Sequence, residues 1–325
     1  MRRREFIAGL GAAAVSSGMA RAQKMPRVGV LLSLAEADHA QVERRDALRQ
    51  GLERLGWSDG RNVRIEYRYA GGQDRFAPLA KEMVALQPDV IFVQSTGFVT
   101  AVARETSTIP IVFANVSDPV GSGFVASLPR PGANLTGLML FEAGIAGKWL
   151  ALLKEVSPRL KRAALLIDPK VTPLDYFRRS AEAAAPSLAV DLMLSPVESP
   201  AEIERAIESI ALIPDSGMFI PPGSTMLRNR HLIISLATRH RIPAVFPERI
   251  YAVDGGLISY GIADHVEPFQ QAASYVDRIL RGDKPADLPV QGPTRYLTVL
   301  NLKAAKALDL AVSPGLLVAA DEVIE

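Results

Sequence analysis

The apolar pattern of this chain runs its course and then starts again. From Arg27 onward, short β-branched runs alternate with stretches whose apolar residues recur at helical spacing, and after Leu138 the alternation begins a second time. Parallel strands joined by crossover helices produce this pattern. In the first series Val28 to Leu32 is a continuous apolar run, as in a strand buried on both faces, and Leu48, Leu52 and Leu55 then recur at i, i+4, i+7 before Gly56 stops the helix. Further strands are predicted at Val63 to Tyr67, Val90 to Val93 and Ile111 to Phe113; Phe76, Leu79, Met83 and Leu86 mark a helix face, with Asp74 placed to cap its start. In the second series Ile145, Trp149, Leu152 and Val156 lie on one helix face that ends at Ser157-Pro158. Strands follow at Ala163 to Ile167, Val190 to Leu194, Met218 to Ile220 and Ala244 to Phe246. The predicted fold class is α/β, with two doubly wound lobes of similar size. The length of 325 residues agrees, at roughly 100 to 200 residues per domain. The closing part, Leu257 to Tyr260, a helix from His265 to Leu280 and Tyr296 to Leu300, is enough chain to cross back between lobes and form a hinge.

The N-terminus points to export. Three arginines at Arg2 to Arg4 precede a short apolar run, Phe6 to Ala14, and the small residues Ala20 and Ala22. That order is the one a cleavable secretory signal requires, and Arg3-Arg4-Glu5-Phe6-Ile7 resembles a twin-arginine signal. Residues 1 to 22 are therefore expected to be removed near Ala22, leaving the product in the periplasm. Without them the chain loses Arg2, Arg3, Arg4, Arg21 and Glu5, which leaves 33 basic against 34 acidic side chains. A near-neutral chain without a basic stripe lacks what phosphate backbones demand, so nucleic acid is not an expected partner. Cysteine is absent, which removes disulfides, thiolate metal sites and Cys nucleophiles.

Open α/β sheets bind ligands beyond the carboxyl ends of their strands. After Val93 come Gln94-Ser95-Thr96-Gly97; after Phe113, Asn115, Ser117 and Asp118; after Ile220, Pro221-Pro222-Gly223-Ser224-Thr225; after Phe246, Pro247-Glu248-Arg249. These small polar groups stand beside helix starts, where backbone amides receive carboxylates; the same residue types also cap helices without binding anything. Catalytic signatures are missing. His39, His231, His240 and His265 fall in no metal-binding spacing, no GxSxG elbow or P-loop occurs, and no metal or cofactor is expected. Gly121-Ser122-Gly123-Phe124-Val125-Ala126 matches a dinucleotide fingerprint, but it lies well beyond its strand, and Pro129 and Pro131 break the chain where the phosphate-binding helix should run. Asp254 and Asp264 flank a strand and read as caps rather than as a catalytic acid pair.

Longer motifs carry a resemblance. Ile109-Pro110-Ile111-Val112-Phe113, Ser117-Asp118-Pro119-Val120-Gly121-Ser122-Gly123, Leu128 to Gly137, Gly255 to Gly261 and the closing Ala319, Asp321-Glu322-Val323-Ile324 are similar to the ABC transporter substrate-binding proteins grouped around tryptophan and tyrosine binders. The resemblance spans nearly the whole chain after the signal. It implies a periplasmic binding protein of type I: two Rossmann-like α/β lobes, three crossings between them, and a solute enclosed by hinge closure. The first lobe would hold about residues 26 to 138 and 255 to 285, the second about 139 to 254 and 286 to 325. Family members mostly take an aromatic amino acid, but the loops Gln94 to Gly97 and Pro221 to Thr225 depart from the common pattern. The expected ligand is a small carboxylate-bearing solute, an aromatic amino acid being one candidate. Its contacts would be Ser95, Thr96, Asn115 and Asp118 in the first lobe and Ser224, Thr225 and Glu248 in the second. Asp118 would meet an ammonium, Ser95 and Thr96 a carboxylate, and Phe98 and Tyr260 would supply an apolar wall. A monomer that catalyses no reaction and delivers its solute to a membrane permease with a separate ATPase is expected. A sensor signalling to a membrane receptor, or a periplasmic enzyme, are the alternatives.

Overall fold

The structure, a computed structural model, describes residues 25–325; the expected export signal lies outside them. The first lobe is built on strands β1 (Arg27–Leu32), β2 (Arg64–Tyr69), β3 (Val90–Gln94), β4 (Ile111–Val116) and β5 (Leu135–Met139). All pair in parallel in the order β2-β1-β3-β4-β5. Helix α1 (His39–Arg54) covers one face, and α2 (Phe76–Ala85) and α3 (Thr96–Glu105) cover the other. Coverage on both faces is why β1, β3 and β4 are largely apolar without alternation. Asp74 does not cap α2: it lies in a single 3-10 turn, Gln73–Arg75, and α2 starts without a side-chain cap.

The second lobe begins with α4 (Ile145–Val156) and continues through β6 (Arg162–Ile167), α5 (Leu174–Leu188), β7 (Asp191–Pro196), α6 (Pro200–Ala211), β8 (Ser216–Phe219), α7 (Ser224–Arg228), α8 (Arg230–Arg239), β9 (Ala244–Phe246), α9 (Arg249–Val253) and β10 (Ile258–Ile262). The chain then returns to the first lobe as α10 (Glu267–Leu280), which packs on α1. It comes back as β11 (Tyr296–Asn301), α11 (Leu302–Ala307), α12 (Pro314–Ala319) and β12 (Glu322–Ile324). The sheet order is β12-β11-β10-β9-β8-β6-β7, antiparallel only between β10 and β11.

The expected lobe boundary at residue 255 is corrected by this pairing. Ile258 stands opposite Val245 and Leu300, so β10 belongs to the second sheet, and of the block 255 to 285 it is α10 that joins the first lobe. Periodicity reveals a strand but not its neighbours. Gly261 shows what that neighbourhood demands, because a Cβ there would collide with the Pro247 carbonyl.

The chain crosses between lobes after β5, between β10 and α10, and before β11. The crossings lie side by side. The Met139 amide donates to Gln291 O at 2.8 Å and the Ala263 amide to Arg295 O at 3.0 Å, while Asp264 Oδ1 accepts from the amides of Val266 and Glu267 in the turn that leads into α10. Hinges are a few loop or element-terminal residues that absorb the rotation of one lobe on the other, and these crossings are of that kind.

Candidate functional site

Between the lobes lies a cavity formed at the carboxyl ends of strands from both sheets, where such folds place their ligands. The first lobe contributes Ser33 and Leu34 after β1, Arg44 of α1, Gln94 at the end of β3 with Ser95 and Thr96 after it, and Asn115, Ser117 and Leu140. The second contributes Val171 and Thr172 after β6, Pro222, Gly223, Ser224 and Leu227 around the start of α7, and Glu248 after β9. With its mouth included the concavity leaves about 520 Å³ unfilled by atoms, and the centres of water-sized molecules can occupy about 50 Å³ of it.

The wall at β3 is strained. Ser95 has φ 79° and ψ 147°, a backbone region that glycine populates and L-residues avoid. Its amide donates to Ala114 O at 3.0 Å, its side chain does not cap α3, and its buried Oγ has no hydrogen-bond partner. Side-chain capping would normally satisfy orphan amides in the first turn of a helix; here that positive end of the α3 dipole faces the cavity uncapped. Thr96 Oγ1 accepts from the Ser117 amide at 2.9 Å, which ties the β4 loop to α3. Asn115 also sits at positive φ, 57°, and its buried Oδ1 is unpartnered.

Two polar bridges join the lobes. Arg44 Nη2 donates to Glu248 Oε2 at 3.1 Å, with the two side chains 4% and 13% exposed, and the guanidinium stands 5.8 Å from the Phe269 ring centroid. Arg44 Nε is buried and unpartnered. Behind the cavity, Gln73 of the first lobe donates through Nε2 to Asp168 Oδ2 at 2.7 Å and also reaches Thr225 Oγ1, while Thr225 donates to the same carboxylate oxygen at 2.6 Å. Asp168 is buried and its other oxygen accepts from the Lys170 amide at 3.0 Å. Leu34 and Ala40 complete the seal, packed into an apolar cluster of the second lobe.

Of the residues expected from sequence, Ser95, Thr96, Asn115, Ser224 and Glu248 line the cavity together. Three do not. Asp118 lies outside it: its Oδ1 accepts from the Gly121 amide at 2.8 Å and closes a turn, so its carboxylate is occupied by its own loop. Thr225 is buried behind the wall on Asp168. Tyr260 stacks on Tyr296 with centroids 5.4 Å apart, and its carbonyl accepts from Trp149 Nε1 at 2.7 Å, within the core of the second lobe. Burial pushes the Tyr260 phenol up and that of Tyr296 up to about 12. Phe98 is a core residue stacked on Phe76 at 4.5 Å.

Sequence reasoning missed Arg44, Ser33, Val171 and Thr172. The last three follow the carboxyl ends of β1 and β6, so the rule that found the other loops applied to them too. Arg44 had a fainter signal: it precedes Leu48 and Leu52 at four-residue steps, a charge on a buried helix face. Among the described residues no group of three or more His, Asp or Glu could hold a metal ion.

Two α/β lobes of parallel strands, a triple crossing and a polar cavity walled by both lobes define the periplasmic binding fold of type I. The family model described as ABC transporter substrate binding protein matches residues 28–324, and the chain belongs to that family, whose members bind solutes rather than transform them. A tyrosine-binding protein of Clostridioides difficile (strain R20291) is 25% identical over 262 residues, covering 80% of this chain and 75% of that protein. A conserved domain protein from Vibrio cholerae O1 biovar El Tor superposes with TM-score 0.84 at 27% identity, over 92% of this chain and 100% of that one. The ABC domain from Streptococcus pneumoniae in complex with L-Trp gives TM-score 0.83 at 23% identity, over 92% of this chain and 99% of that one.

Proposed function

We propose that this protein captures a small carboxylate-bearing solute between its lobes in the periplasm, and presents the closed, loaded form to a membrane permease driven by a separate ATPase. The observation that carries this reading is that the cavity is walled by both lobes, and that its lining residues Arg44, Ser95 and Asn115 each hold a buried polar atom without a protein partner. A solute biases closure only by the difference between its affinities for the two states, so contacts from both sides are what a capture device needs. The uncapped first turn of α3, with Ser95 and Thr96, receives the carboxylate. Glu248 and Asn115 receive a donor such as an ammonium, the role that Asp118 cannot fill from its turn. Ser224 closes the cavity from the second lobe. The relatives that bind tyrosine and L-Trp support an amino-acid-like ligand, and no helix of the described residues is long and apolar enough to cross a membrane.

The test is a thermal-shift screen against small carboxylates, followed by recovery of the bound compound from denatured protein. Binding to the folded form alone raises the midpoint of unfolding, and the compound should return with its mass unchanged. Uptake of that compound should fall in cells lacking this protein. A compound that binds and comes back chemically altered would sink the capture reading.

A further inference from the structure

The loop that follows β6 reaches from the second lobe into the first. Val171, in this loop, packs against the apolar cluster that α2 and α3 form with the first sheet. Its seat is Gly97, in the first turn of α3: a methyl there would lie 3.1 Å from Val171 Cγ1 and 3.2 Å from Phe76 Cε2. Neither neighbour is free to yield. Phe76 is buried and stacked on Phe98 with ring centroids 4.5 Å apart. The loop that carries Val171 is braced on its own lobe: the Asp168 carbonyl accepts from the Val171 and Thr172 amides at 3.4 and 3.1 Å, and Thr172 Oγ1 donates to Pro222 O at 3.0 Å. The φ of Gly97 is not positive, so its backbone is open to any residue, and a helix ordinarily prefers alanine to glycine. What this position requires is the absence of a side chain.

We infer that Val171 and Gly97 form a knob and socket that sets how far the lobes close, and that this clasp holds them closed for part of the time before a solute arrives; the inference rests on the hinged-capture reading above. The knob's methyls leave water only when the lobes meet, which favours closure without help from a ligand. Asp168 fastens the same loop a second time. Besides bracing it, its Oδ2 accepts from Gln73 Nε2 of the first lobe at 2.7 Å. Gln73 follows β2, the edge strand opposite β5, from which the chain first crosses. A contact far from the crossings is parted by the smallest rotation, so it responds sharply to the closure angle. Val171 and Thr96 both line the cavity, which places the clasp where the first turn of α3 meets the solute. Gly97 and Val171 are thus positioning residues for capture: they fix the separation at which contacts from the two lobes meet one ligand. A population already closed also lessens the affinity lost to conformational selection.

The chain has no cysteine, so Lys81→Cys on α2 and Glu204→Cys on α6 place one spin label on each lobe at exposed positions. Distances between the labels, measured without added solute, should show a short, closed population beside a longer, open one. Gly97→Ala in this labelled protein should lower the closed-to-open ratio about tenfold or more, the effect of overpacking at a contact made only on closure. Val171→Ala removes two methyls and should lower it by about threefold to tenfold. The double variant should stay within about threefold of Val171→Ala alone, because the shortened knob leaves room for the new methyl. Val171→Leu lengthens the knob from a partly exposed loop without altering the first lobe, so it should open the protein about tenfold even where Gly97→Ala does not fold. A parent with no closed population overturns the inference. So do penalties that simply multiply in the double variant, or an unchanged ratio in Val171→Leu. None of these results bears on the capture reading, which stands or falls with recovery of an unaltered compound.

Discussion

Glu248→Gln should open the cleft of the ligand-free protein. Arg44 is almost wholly buried, and its charge is met by a carboxylate from the opposite lobe. Removing one partner of a buried pair costs about 3–5 kcal/mol because the remaining charge is stranded. The glutamine carbonyl can still accept from the guanidinium, which recovers about 1 kcal/mol, so a net penalty of about 2–4 kcal/mol is expected. This penalty falls on the closed state only, since opening hydrates Arg44. At about 1.4 kcal/mol per factor of ten, the closed population relative to the open one drops by roughly 30- to 700-fold. Small-angle scattering, or spin-label distances between the lobes, would read this as a larger radius of gyration and a longer interlobe distance. Urea unfolding should change by less than about 1 kcal/mol, because the cores within each lobe are untouched. The double variant Arg44→Met with Glu248→Leu, which removes both charges, should close again. If Glu248→Gln scatters like the parent while its urea stability falls by the whole penalty, the pair supports folding and the reasoning about closure is wrong.

Other substitutions separate fold from site. Ser95→Gly relieves a backbone conformation that costs of order 1–3 kcal/mol for a side-chain-bearing residue; thermal stability should rise while ligand affinity falls with the loss of Oγ, and a variant that gains neither stability nor weaker binding would contradict the assignment. Gly261→Ala drives a methyl into the Pro247 carbonyl and should destabilise by about 2 kcal/mol or more, or abolish soluble expression, as measured by chemical denaturation. Asp118→Ala should leave ligand affinity within about twofold while lowering stability by about 1 kcal/mol through the lost turn bond. Alkaline stability follows from the buried phenols: Tyr67 is pushed up to about 12, first by burial and then by its neighbour Tyr69, and Tyr296 also up to about 12. The unfolded chain releases these protons near pH 10 and the folded one only near 12, so their contribution is intact below about pH 10 and is lost as pH rises between the two values. Tyr67→Phe should flatten that fall in a denaturation series, and an unchanged slope would rule Tyr67 out as a contributor.

How far the sequence could be read depended on whether a residue's role was local. Strand after strand, β1, β3, β6 and β9 emerged where continuous apolar runs predicted them, since burial on both faces writes itself into the run. The cavity-lining positions Ser95, Thr96, Asn115, Ser224 and Glu248 were likewise legible, because a strand's carboxyl end is marked by the residue at which its apolar run stops. Asp118 and Tyr260 look equally suitable by that rule, yet one turns back on its own loop and the other enters an aromatic stack. Nothing in a one-dimensional pattern states which way a side chain leaves a loop.

What the amino-acid order determined by itself was therefore the repeated α/β alternation, the two lobes and the loops at the strand ends. Tertiary structure alone decided that β10 pairs with β9 and β11 rather than with the first sheet, that Arg44 meets Glu248 across 204 positions of sequence, and which strand-end residues share one cavity. The reason is physical: periodicity records which face of an element is buried, whereas partner choice and cavity size arise from how separate elements pack together.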